Sequence, residues 1–145
     1  MSFGLALPVN CNCSAIRQAS RHVTQLYDQF LAPSGLRTTQ FSILSALSRT
    51  GPVTINVLAR ELVMDRTTLG RTILPLQRQG LVAVRPGQSD RRSKELHLTG
   101  AGAARLRLAR KGWAKAQTRF EHAYGAGKAS ALRDLLRKVT ESNLS

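Results

Sequence analysis

Residues 65–71 read D-R-T-T-L-G-R. On a helix, Arg66, Thr67, Thr68 and Arg71 occupy the first turn and a half, while Leu69 and Ile73 point the other way. The outward set is guanidinium and hydroxyl donors with methyl groups, the side chains that bond base edges and phosphates. A helix start adds unpaired N–H groups and the positive end of its dipole. The plainer alternative is that Thr67 and Thr68 only support the first turn. A second cluster, Asp90, Arg91, Arg92 and Lys94, follows the turn residues P-G-Q-S. Adjacent Arg residues on a hairpin tip can enter a narrow minor groove, where negative potential concentrates. Alone, such a tip is equally well a solubilising loop. Thr54 sits where it can cap the helix before D-R-T-T and add a further DNA contact.

Other chemistry is sparse. Cys11 and Cys13 are the only cysteines, in N-C-N-C-S ahead of the first helix. A bridge across one residue is strained, whereas one between two subunits is sterically easier. A thiol near a helix start and Arg17 is expected to have a lowered pKa, favouring oxidation. Redox sensing, metal binding and unused thiols all remain open. Two thiolates are too few for a closed zinc site without His22 or a second chain. No Ser/His/Asp set, phosphate-cradling glycine loop or paired carboxylates stand out, so neither an enzyme nor a cofactor is expected.

The chain has 145 residues, 42% of them hydrophobic, enough for one unit with a modest core. Lys and Arg number 22 against 8 acids, a net charge of +14, with Arg greatly outnumbering Lys. Residues 66–119 hold thirteen of those cations and two acids, Asp90 and Glu95. This concentration implies a polyanionic partner. No apolar run approaches the roughly 20 residues that span a bilayer, so no membrane association is expected. Met1–Val9 is mildly apolar but has no basic n-region or small-residue cleavage site, and the expected location is the cytoplasm.

These groups need a scaffold. Ile16, Ala19, Val23, Leu26 and Phe30 have helical spacing, behind a possible Cys13-Ser14 cap. Pro33-Ser34-Gly35 ends that helix. A second begins near Thr38 or Thr39, with Phe41, Leu44 and Leu47 inward, and breaks at Gly51-Pro52. A third follows Thr54. After a tight turn at Val63-Met64, Asp65 caps a fourth, which runs to about Gln79 and stops at Gly80. Pro75 predicts a bend or a 3-10 turn within it. Leu81–Arg85 and Lys94–Leu98 read as hairpin strands. Thr99 caps a long helix to about Tyr124 with Leu106, Ala109, Trp113, Ala116, Phe120 and Ala123 on one stripe. A last helix carries Leu132, Leu135, Leu136 and Val139. Arg107, Lys111, Lys115 and Arg119 form a mainly solvated face.

The expected fold class is mainly α with a small β-hairpin wing, a winged helix-turn-helix between N- and C-terminal dimerisation helices. The expected divisions are 1–36 (arm and dimerisation helix), 37–99 (DNA-binding unit) and 100–145 (dimerisation helices). The outer helices carry apolar stripes with no partner in the central unit, and a second copy would supply one.

From Leu36 to Gly100 the chain resembles the MarR family of winged-helix regulators. The resemblance lies in T-Q-F-S-I-L-S-A-L, L-A-R-E-L-V-M-D-R-T-T-L-G-R, L-Q-R-Q-G-L-V and S-D-R-R-S-K-E-L-H-L-T-G, and the flanking helices match in length and order. It implies a homodimer on a pseudo-palindromic operator in double-stranded DNA, usually a repressor, released by a small aromatic ligand or by oxidation. It also implies that Asp90 orients the wing and Arg92 enters the minor groove. Some members sense peroxides near the first helix, the neighbourhood of Cys11 and Cys13. Others bind aromatic acids between the first, second and fifth helices, where His22, Tyr27, Phe41 and Trp113 are candidates. Ordinary packing competes for each of those four. The alternative function is a redox- or metal-responsive switch acting through Cys11 and Cys13, with DNA binding secondary.

Overall fold

The computed structural model describes residues 10–145; the apolar start Met1–Val9 lies outside the described residues. Six α-helices and three strands follow in the order α1 (Asn12–Leu31), α2 (Thr38–Thr50), β1 (Val53–Thr54), α3 (Ile55–Leu62), α4 (Arg66–Arg78), β2 (Val82–Pro86), β3 (Lys94–Leu98), α5 (Gly100–Tyr124) and α6 (Ala126–Glu141). The sheet is antiparallel in the order β1-β3-β2, with Val53 opposite Leu96 and Val84 opposite Leu96 on the other side. The expected fold class is the one observed. Two-residue β1 was not foreseen, because so short a strand has no alternation to read.

Local chemistry sets most boundaries. Thr54 Oγ1 accepts from Val57 N, and Thr99 caps α5 by accepting from Gly102 N at 2.9 Å. The cap of α1 differs from expectation. Cys11, with extended backbone, accepts from Ser14 N through its sulfur at 3.4 Å, so Cys13 lies inside the helix. Asp28 Oδ1 accepts from both Thr38 N and Thr38 Oγ1 at 2.7 Å, so α1 caps α2 from ten residues away.

Pro75 produces no 3-10 segment; α4 continues as α-helix to Arg78. The carbonyl deprived of its donor belongs to exposed Arg71, where solvent can serve it. Gly80, at φ +74°, then closes α4 with Gly80 N donating to Gln77 O and Leu81 N to Leu76 O. This paired closure is the Schellman arrangement.

The core lies between α2, α4, the sheet and the first half of α5. Leu31, Ile43, Leu44, Leu69, Leu76 and Ala109 are fully buried there. Toward the chain ends packing thins. Ile16 on α1 and Leu135, Leu136 and Val139 on α6 are 43–61% exposed.

The turn between α3 and α4 holds the one positive-φ non-glycine among the described residues, Val63 at φ 52°. Its N–H donates to Arg60 O, and Met64 N donates to Ala59 O. A β-branched residue is strained in this left-handed conformation, and Val63 is 72% exposed, so its side chain gains little burial. Val63→Gly is therefore expected to stabilise the fold by about 1 kcal/mol, read by urea unfolding at fixed protein concentration. A loss of stability would contradict the strain argument.

Candidate nucleic-acid interface

Helix α4 starts at Asp65, whose carboxylate accepts from Thr68 N at 2.9 Å and from Thr68 Oγ1 at 2.6 Å. These bonds, with a smaller contribution from the Arg71 charge, hold the Asp65 carboxyl below its usual range. The Thr68 hydroxyl proton is thus committed to the cap. At about 100° per residue, Thr67, Arg71, Leu74 and Arg78 share an arc opposite buried Leu69, Ile73 and Leu76. Thr68 lies to one side of this arc. Of the four α4 residues selected from sequence, Thr67 and Arg71 occupy the outward face.

Arg66 occupies the other flank. With Thr54, Asn56, Gln77, Arg92 and Lys94 it lines a cleft of about 420 Å³ between the helix-turn-helix and the wing. No carboxylate lines it. The fold thus brings Thr54, Arg66, Arg92 and Lys94 together. Asn56 and Gln77 in the cleft, and Leu74 and Arg78 on the outward arc of α4, were not selected from sequence. The last two were discoverable by extending the Thr67–Arg71 spacing, whereas Asn56 and Gln77 are placed by tertiary packing.

The wing tip is held by its own backbone. Asp90 Oδ1 accepts from Arg92 N at 3.0 Å, and Asp90 O accepts from Ser93 N and Ser93 Oγ. Gly87 N donates to Ser93 O at 2.8 Å. A Cβ on Gly87 would come within 2.7 Å of the Asp90 backbone oxygen, so a side chain there requires the loop to shift. Arg91 and Arg92 are exposed, and neither has an acidic partner among the described residues.

Both cysteines are free, Cys13 exposed and Cys11 partly so. The Cys11 thiol is pushed down chiefly by hydrogen bonding from Ser14. The expected contribution of Arg17 is not among the causes. Among the described residues, no group of three or more His, Cys, Asp or Glu is placed to hold a metal.

The aromatic candidates do not share one cavity. His22 lines a groove of about 660 Å³ between α1 and α5, with Leu26, Arg119, Phe120 and Tyr124. Tyr27 is five residues further on, about 140° around α1, and donates to Gln117 Oε1. Burial and the Glu121 charge push the Tyr27 phenol up. Phe41 of α2 and Trp113 of α5 stack on each other with centroids 6.4 Å apart, Trp113 remaining 39% exposed.

A MarR family model matches residues 34–93. The M. tuberculosis transcriptional regulator MosR, in its structure with DNA, superposes with a TM-score of 0.79 at 34% identity, over 93% of this chain and 100% of that one. The chain belongs to the MarR family. Two curated relatives agree over shorter stretches. The transcriptional activatory protein BadR of Rhodopseudomonas palustris is 39% identical over 71 residues, 47% of this chain and 41% of BadR. The uncharacterized HTH-type transcriptional regulator YwoH of Bacillus subtilis is 34% identical over 84 residues, 58% of this chain and 61% of YwoH. The chain thus spans about half the length of these curated relatives. MarR membership places it among winged-helix DNA-binding regulators of transcription and not among enzymes. No helix among its described residues is long and apolar enough to cross a membrane.

Proposed function

We propose that the chain represses transcription by binding a pseudo-palindromic operator as a homodimer, with α4 in the major groove and the wing in the adjacent minor groove. The observation that carries this reading is the cleft where Arg66, Arg92 and Lys94 converge without a carboxylate. Each wing or helix alone is unremarkable; together they present donors over a span suited to phosphate, base edge and minor groove. The exposed apolar residues of α1 and α6 support the homodimer, since a two-fold partner would cover them. Within this reading the divisions 1–36, 37–99 and 100–145 are arm, DNA-binding unit and dimerisation helices.

Release follows from oxidation at the start of α1. The lowered Cys11 thiol is the nucleophile, and a peroxide converts it to a sulfenic acid. A thiol of the second subunit then displaces water to form a disulfide, shifting the two arms relative to each other. A second mode of release is favoured by the α1–α5 groove, where His22 and Arg119 flank apolar Leu26 and Phe120. That lining suits a small aromatic ligand carrying an anionic group.

Binding to duplexes selected from a random pool, measured across salt concentrations, tests the grip. Arg92→Ala is expected to weaken binding and lower the salt slope by about 1, and Arg71→Ala or Thr67→Ala to alter base preference as well. Unchanged affinity in all three would leave a winged helix that serves protein contacts instead. Peroxide is expected to release wild-type protein from the selected duplex. Release that persists unchanged in both Cys11→Ser and Cys13→Ser would end the oxidation mode.

A further inference from the structure

We infer that Leu74 reads a thymine methyl group in the major groove and sets base preference at one position of each half-site. The inference rests on the proposed DNA-binding function and deepens it. Leu74 is 47% exposed, whereas Leu69, Ile73 and Leu76 on the same helix are at most 4% exposed. It is not a member of the core. Its place on α4 is three residues after Arg71 and seven after Thr67, in line with both and facing away from the core.

What surrounds Leu74 selects its occupant. Arg71 and Arg78 lie one turn before and one turn after it. Helix α4 contains no acid, and the Asp65 carboxylate at its start is engaged by Thr68. A second copy of this face would set cations against cations. A duplex brings phosphates to the arginines, and its major groove offers one methyl group, the C5-methyl of thymine. An apolar side chain between two phosphate- or base-binding arginines thus matches a thymine flanked by backbone or purine acceptors.

The test uses the tightest duplex selected from a random pool. Each thymine is replaced in turn by deoxyuridine, which removes only the methyl group. Wild-type protein is expected to lose about fourfold in affinity at one thymine per half-site, the equivalent of one apolar carbon taken out of contact. Leu74→Ala is expected to bind the thymine and deoxyuridine duplexes equally, with Leu74→Met retaining part of the discrimination. Equal loss by Leu74→Ala on both duplexes would assign Leu74 to the sugar-phosphate backbone and overturn the inference while leaving DNA binding intact. Failure of any duplex to enrich would overturn the DNA-binding function and this inference with it. Because Leu74 lies outside the core, both variants are expected to fold, and their unfolding curves check that.

Discussion

One backbone corner fixes the working parts relative to one another. Leu81 N donates back to Leu76 O to close α4, and Leu81 O accepts from Thr99 N at 3.2 Å. Thr99 Oγ1 donates to Gly80 O at 2.6 Å and accepts from Gly102 N. The exit of α4, both feet of the wing and the start of α5 therefore meet at Gly80–Leu81 and Thr99–Gly102. Gly102 is part of this junction. A Cβ there would lie far inside van der Waals contact with Leu81 O, so α5 can approach only with glycine at that point. The glycine-rich start of α5 thus serves close packing.

That corner lets a cationic surface exist in a defined shape. Arg66, Arg92 and Lys94 repel one another, and no carboxylate in their cleft relieves the repulsion. The buried set from α2, α4 and the sheet holds them in place, with Leu69, Leu76, Leu81 and Leu96 at most 2% exposed. Repulsion held by a packed core is relieved when a polyanion binds, so rigidity and affinity have the same origin. The bond from Arg92 N to Asp90 does the equivalent at the tip, ordering the loop without spending the guanidinium.

Features written in neighbouring residues were legible in the sequence. Thr54, Asp65 and Thr99 each act within three residues, and all three caps are observed as read. The hairpin and the long α5 followed from alternation and helical spacing. Features made by distant partners were not legible. Asp28 capping α2, β1 joining the sheet and Gln77 lining one cleft with Lys94 depend on tertiary geometry. The separation of the four aromatic candidates was not legible, because residue type carries no information about angle around the helix. His22 and Tyr27 lie on different sides of α1, and Phe41 and Trp113 satisfy each other. The absence of a 3-10 segment at Pro75 depends on whether the orphaned carbonyl reaches solvent, which the sequence does not show. The bond from the Thr68 hydroxyl to Asp65 was not legible either, because sequence places a cap without showing which side chains it engages.

The central claim is that two copies of this chain place two recognition helices and two wings on one duplex. Hydroxyl-radical and methylation footprinting of a selected duplex measures that arrangement directly. The account predicts two major-groove protections related by a two-fold axis and about one helical turn, or a multiple of it, apart, each flanked outward by a minor-groove protection. A single unsymmetrical protection, or major-groove contact with no minor-groove protection beside it, would contradict it.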